Sequence, residues 1–268
     1  MNREIKFKKF PLVNSANEEL GVVTLEHLWA DVFALKMKVH KEEALAQLND
    51  VIKEILKLAE DFQARLVMYR LIKGEVSSDK MGSLLPELGF TKKSDRIEFK
   101  KSVDELPIDE GSPLIWKTAE ELNWQPAAVA KTLKQVAHGD PDTDPNEDTL
   151  LFIQDFLADP VLTSGLRCIH VGFFENEIAA LTVVQINPKT GWSRISYMGI
   201  VPKFRMKNLG NWVHRYSFKV MKAEGGKLYH GGTTSTNAGM IKLFEKNGCS
   251  RFCEMEEWVY SLNGGELC

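Results

Sequence analysis

Cysteine is scarce in this chain, with four thiols in 268 residues: Cys168, Cys249, Cys253 and Cys268. That is too few for a disulfide scaffold at this length, and reduced thiols point to the cytoplasm. Cys249 and Cys253 have the spacing of half a zinc site, yet no second pair exists to close four ligands, so no metal centre is expected. An excess of one charge is missing too. Residues 1–105 hold 18 basic and 18 acidic side chains, the remainder 16 and 19, and the net charge is −3. Neither part has the cationic surplus that a phosphate backbone demands, so nucleic acid is not an expected partner. No apolar run approaches the ~20 residues that cross a bilayer, and residues 1–6 lack the apolar core of a secretion signal, so no membrane partner is expected either. What remains is an ordinary globular composition, 44% hydrophobic and 26% charged, sufficient for one large or two modest domains.

The first hundred residues read as a unit of their own. Glu4 to Phe10 alternates as a strand. Leu25 to Val39 and Lys41 to Phe62 read as helices, the second with Leu45, Leu48, Ile52, Ile55, Ala59 and Phe62 in a stripe suited to lying on a sheet. Ala64 to Ile72 is a strand and Ser78 to Leu88 a short helix; Leu88-Gly89-Phe90 then leads into a strand from Arg96 to Lys100. Turn and breaker residues at Ile108 to Pro113 mark a linker, giving expected domains of 1–107 and 108–268.

Beyond the linker the pattern predicts a strand at Leu114 to Lys117, helices at Pro126 to His138 and Leu150 to Phe156, and three strands. The strands are Leu166 to Phe174, Glu177 to Ile186 and Arg194 to Val201, joined by a tight turn at Glu175-Asn176 and a longer one at 187–191. A helix (Asn211 to Ala223), a strand (Lys227 to Thr234), a helix (Ala238 to Lys246) and a strand (Glu257 to Leu262) complete the order.

Between the strand ending at Val201 and the helix after it lies Pro202-Lys203-Phe204-Arg205-Met206-Lys207-Asn208-Leu209-Gly210. A turn feeding a helix N-terminus offers unpaired N–H groups and the positive end of the helix dipole, which suits a phosphate. About thirty residues later, Asn237-Ala238-Gly239-Met240-Ile241-Lys242-Leu243-Phe244-Glu245-Lys246-Asn247-Gly248 has a capping Asn before a helix and a Gly to end it. The first run resembles the R/Q-x-x-G-x-G/A signature of the GNAT acyltransferases, with Asn208 in place of the first glycine. The second resembles that family's N-x-x-A-x-x-L-Y-E-K-x-G-F, with Met240, Phe244 and Cys249 substituted.

The resemblance covers roughly residues 112–262. It implies an α+β fold: a mixed, mostly antiparallel sheet flanked by helices. The order long helix, strand, short helix, Leu-Gly-Phe, strand in the first hundred residues matches a GNAT second half. Two units in tandem are therefore expected, the first incomplete, without the phosphate turn, and structural in role.

The implied activity is transfer of an acetyl or other acyl group from acyl-coenzyme A to an amine of a small molecule or protein. The co-substrate would lie along the strand at Gly199, Ile200 and Val201, with Gly199 supplying a bulge or close approach. Its pyrophosphate would meet Lys203, Phe204, Arg205, Met206, Lys207, Asn208, Leu209, Gly210 and Asn211, with Asn237 and Phe244 also at the site. The family's thiolate-protonating tyrosine falls at Phe244, which has no proton to give, and no Glu stands on the strand from Arg194 to Val201. Tyr197 and His230 are the candidate catalytic groups, with Ser196 and Glu177 as further substitutes; each of the first two also fits an ordinary strand residue. Gly231 and Gly232 allow another backbone or a ligand to come close.

The acidic run Asp140 to Asp148 alternates oxygen ligands as a calcium loop does, but Pro145 stands where the turn glycine belongs and Leu151 where the bidentate Glu belongs. A solvated loop that attracts a cationic substrate is expected instead. Three other readings stay open: a coenzyme A-binding module without catalysis, an aminoacyl-tRNA-dependent transferase, and a long-chain N-acyltransferase with Phe244 and Met240 lining the acyl pocket.

Overall fold

The computed structural model describes residues 7–29, 31–75, 78–105, 111–143, 147–159, 161–163 and 165–262. Expected features at Glu4 to Lys6, Ile108 to Glu110, Asp144 to Asn146 and Cys268 lie outside the described residues. Two compact units are present: one is the chain up to Arg96 together with the stretch from Cys253 onward, the other runs from Ile97 to Phe252. The chain therefore passes between units twice, where the sequence reading placed a single division at 107/108.

In the first unit β1 (Phe7–Val13), β2 (Glu19–Trp29) and β3 (Val32–Val39) form an antiparallel meander. This corrects the helix expected from Leu25 to Val39. Leu20, Val23 and Leu25 are buried while Val22, Thr24 and Glu26 are half-buried, a near-alternation that β-branched residues favour in a strand. Helix α1 (Leu45–Asp61) buries Leu48, Ile52, Ile55 and Ala59 in the unit's core, so the predicted stripe lies on the sheet. It returns the chain to β4 (Leu66–Ile72), parallel to β3, and α2 (Ser78–Glu87) follows. The neighbour of β4 on its other side is β11 (Ser250–Ser261), antiparallel from Met255 opposite Ile72 to Ser261 opposite Leu66.

The second unit begins inside β5 (Thr91–Ser102). It continues with β6 (Ile115–Thr118), α3 (Pro126–Ala137) and α4 (Thr149–Leu157). Three antiparallel strands come next: β7 (Ile169–Phe174), β8 (Glu177–Ile186) and β9 (Trp192–Ile200). Glu175 and Asn176 both have positive φ, as the two-residue hairpin turn requires. Helix α5 (Leu209–Ala223) crosses to β10 (Leu228–Thr234), parallel to β9, and α6 (Ala238–Lys246) leads into β11. Within this unit the strand order is β5-β10-β9-β8-β7-β6.

The two units repeat one plan: strand, long helix, parallel strand, short helix, glycine stop, strand. The stops match in detail. Gly89 and Gly248 both have positive φ, and the residue after each donates its N–H to a carbonyl five residues back, Phe90 to Leu85 and Cys249 to Phe244.

Candidate functional site

The site grows from a failure of two parallel strands to stay paired. β9 and β10 are aligned only at Trp192 with Leu228 and Ser193 with Tyr229, after which no pairing continues. Ile195 to Ile200 and His230 to Thr234 therefore present backbone that the partner strand does not use. On the β8 side the register of β9 shifts between Ile195 and Tyr197, so the bulge is at Ser196 and not at Gly199. At Gly199 the space is taken by the chain's own side chains: a methyl group there would stand 2.9 Å from the Tyr197 hydroxyl and 3.1 Å from Val136 Cβ.

Past Ile200 the chain makes a short 3-10 turn at Pro202–Phe204 and reaches α5 through Met206 and Asn208, both with positive φ. Asn208 takes the left-handed conformation that a glycine would, and no side chain caps the helix. The first N–H groups of α5 are thus left without an intrahelical partner beside the end of β9. Gly210 faces open space, the nearest atom to an added methyl being Leu243 Cδ2 at 4.0 Å.

The cations expected to meet a pyrophosphate have other partners. Arg205 donates to three carbonyls, Ile200 at 3.1 Å, Val136 at 3.0 Å and His138 at 2.6 Å, pinning the loop to the end of β9 and the last turn of α3. Lys203 pairs with the exposed Glu177 carboxylate, and Lys207 lies over the rings of Phe174 and Phe204. Phe204, Leu209 and Asn211 are buried, and Met206 is fully exposed.

The open end of the gap is met by the acidic loop after α3. Asp142 accepts from the Thr233 hydroxyl, from the Thr234 N–H at 2.7 Å and from Asn237 Nδ2 at 2.9 Å. Asn237 Oδ1 meanwhile caps α6 through Met240 N–H, so both ends of that amide are engaged. Asp140 accepts from the Tyr197 hydroxyl at 3.1 Å; burial first and the nearby Asp140 charge second raise the phenol's pKa, which keeps it protonated. The loop is therefore not simply solvated. Asp148 caps α4 through Leu150 and Leu151, and no metal-holding cluster occurs among the described residues.

The wall of the gap opposite α5 carries His230, whose ring is 6.2 Å from Trp192 and 5.3 Å from Phe252. Burial, and then Lys100, lower its pKa. Phe244 packs on the core face of the same strand, its Cε1 3.2 Å from where a methyl on Gly231 would stand, buried and stacked on Phe99 at 4.4 Å. Sequence reasoning missed two groups. One is Asp142, whose loop had no local mark of where it docks. The other is Glu98, on β5, whose carboxylate lies against Gly232: a methyl on that glycine would sit 2.1 Å from Glu98 Oε1. The pair Gly231-Gly232 was the available signal, since it announced that something comes close.

No family model matches the chain and no curated protein matches it. Solved structures do. A GCN5-related N-acetyltransferase from Sphaerobacter thermophilus superposes with a TM-score of 0.67 at 14% identity, over 96% of this chain and 81% of its own. A tandem GNAT protein from the clavulanic acid biosynthesis pathway gives 0.59 at 12% identity, over 97% and 85%. A GCN5-related N-acetyltransferase from Kribbella flavida gives 0.59 at 15%, over 92% and 88%. With a diverging pair of parallel strands, a helix N-terminus at their mouth and coverage of this extent, the chain has the GNAT fold along nearly its whole length, in a tandem arrangement.

Proposed function

We propose that the unit from Ile97 to Phe252 is an N-acyltransferase that moves an acetyl or other acyl group from acyl-coenzyme A to an amine. The observation that carries this reading is the two-residue pairing of β9 with β10, with the uncapped start of α5 beside the end of β9. An extended pantetheine arm can add to the unused backbone of β9 as a strand would, and a pyrophosphate can sit at the N–H groups around Gly210. The open space at Gly210 fits such a group, and with Arg205 engaged by three carbonyls this reading gives the phosphates to the backbone N–H groups. The co-substrate supplies an activated acyl group as a thioester. The protein's share is alignment of an amine against that group, worth ~7–11 kcal/mol in favourable intramolecular cases, together with removal of the amine's proton.

The acceptor is a small-molecule or protein amine. Among the described residues, Cys168, Cys249 and Cys253 form no disulfide, which supports work in the cytoplasm, and no helix is long and apolar enough to cross a membrane. One observation favours a second reading. Phe244 is buried in the core and has no hydroxyl, so a coenzyme A-binding module without turnover is the alternative. Calorimetric titration with acetyl-coenzyme A, followed by thiol release with a panel of primary amines, tests both. Binding with release supports the enzyme, binding alone supports the module, and absence of binding overturns both.

A further inference from the structure

We infer that Glu98 is the catalytic carboxylate of this unit, binding the acceptor's ammonium group and taking its proton. The inference rests on the acyl-transfer reading above. It starts from strand register. β5 and β10 are neighbours, and Val103 donates its N–H to the Lys227 carbonyl. Counting back along β5 and forward along β10 from that bond brings Glu98 beside Gly232. The side chains agree, since the Glu98 carboxylate occupies the space a side chain at 232 would fill, 2.1 Å and 2.6 Å from its two oxygens to an added methyl.

Alternation then decides the face. Ile97 and Phe99 enter the core with Tyr229 and Phe244, so Glu98 and Lys100 project to the opposite side, where His230 and Phe252 lie. Gly232 is three residues beyond the last aligned pair of β9 and β10, about 10 Å along the unpaired wall at ~3.3 Å per residue. The carboxylate therefore lies across a side-chain-free stretch of the strand that borders the gap. Its rivals are placed less well. His230 is nearer the paired end, between Trp192 and Phe252. The Tyr197 phenol donates to Asp140 and is held protonated.

Two protons leave the amine overall. An ammonium R–NH3⁺ gives the first to the Glu98 carboxylate and becomes a nucleophile. Its nitrogen lone pair forms the C–N bond to the thioester carbon as the C–S bond breaks. The second N–H proton reaches the departing thiolate, which leaves as the thiol, and Glu98 returns its proton to water.

The test uses the full chain and whichever amine of a panel (spermidine, tyramine, glucosamine, a lysine peptide) wild type acylates. Glu98→Gln is expected to lower kcat/KM about 10²- to 10³-fold, to weaken calorimetric binding of the amine in the absence of acyl-coenzyme A, and to leave acetyl-coenzyme A affinity within twofold. Added formate is expected to restore part of the turnover of Glu98→Ala, which a purely structural role would not allow. Gly232→Ala keeps the carboxylate but displaces it, and is expected to lose at least tenfold. Unchanged kcat/KM in Glu98→Gln and Gly232→Ala, with wild type active, overturns Glu98 alone. A wild type that acylates no amine overturns the acyl-transfer reading and Glu98 with it.

Discussion

At the residue scale, Gly210 separates binding from stability. Its φ is outside the left-handed range and an added side chain meets nothing nearer than 4.0 Å, so Gly210→Asp fits the fold. A carboxylate in the first turn also favours the helix dipole, by roughly 0.3–1 kcal/mol. The same charge opposes a pyrophosphate. The variant should melt at or above the wild-type temperature and lose at least tenfold in acetyl-coenzyme A affinity by calorimetry. Unchanged affinity would remove the N-terminus of α5 from the binding site. The buried histidines make a different residue-scale prediction. His214, fully buried against Phe218, Tyr229 and Phe244, has its pKa pushed down to about 3 by burial, and His170 is held at about 4 for the same reason. Below pH 6.5 the unfolded chain binds a proton at each that the folded chain refuses. Stability is therefore fully present above pH 6.5 and falls as pH drops toward 4, by up to ~1.4 kcal/mol per pH unit for each histidine. Urea midpoints at pH 7 and pH 5 check this, and His214→Gln, which keeps an acceptor for Asn247, should show the shallower pH dependence.

At the element scale, the loop after α3 and the end of β10 are tied by one carboxylate. Removing it in Asp142→Ala leaves the Thr234 N–H without that acceptor and frees Asn237 Nδ2. A loss of ~1–2 kcal/mol is expected, since hydrogen bonds to a charged group exceed the neutral average but this one is partly exposed. Faster hydrogen exchange at Thr234, with no change in β7 or β8, would place the effect where the contacts are; uniform change across the sheet would contradict it. Elements of this size were legible in the sequence wherever their signals are local. β8 and α6 appear at the predicted boundaries because a two-residue turn, an Asn cap and a Gly stop each act within a few residues. The stretch from Leu25 to Val39 misled because Leu25, Leu28, Val32 and Leu35 are also spaced as a helix face, and only pairing with β1 and β4 selects the strands. Of the site, the loop and α5 were visible as a motif. The partners of Arg205 and the docking of Asp142 were not, because the carbonyls and hydroxyls they meet come from distant parts of the chain.

At the scale of the whole molecule, each unit takes a strand from the other half of the sequence. The strand after α2 is β5, yet β4 pairs with β11; the strand after α6 is β11, yet β10 has β5 beside it. No local pattern announces such an exchange, and it explains why Glu98 was assigned by sequence to a unit without chemistry. It also makes a sharp claim about the C-terminal residues. From Cys253 onward they supply the first unit with the strand partner of β4 and with Trp258 and Val259 in its core. Ending the chain after Phe252 leaves the β4 edge unpaired from Leu66 to Ile72 and opens a cavity where Trp258 was, a loss that for a buried Trp alone is ~3–5 kcal/mol. If these residues belonged to the second unit, as a single cut at 107/108 implies, truncation would instead unfold residues 108–252 and spare the first hundred. Hydrogen exchange on the truncated chain distinguishes the two outcomes peptide by peptide. Loss of protection in α1 and β4, with β7 to β9 still protected, is the result the exchanged strands require; the reverse pattern would return β11 to the second unit.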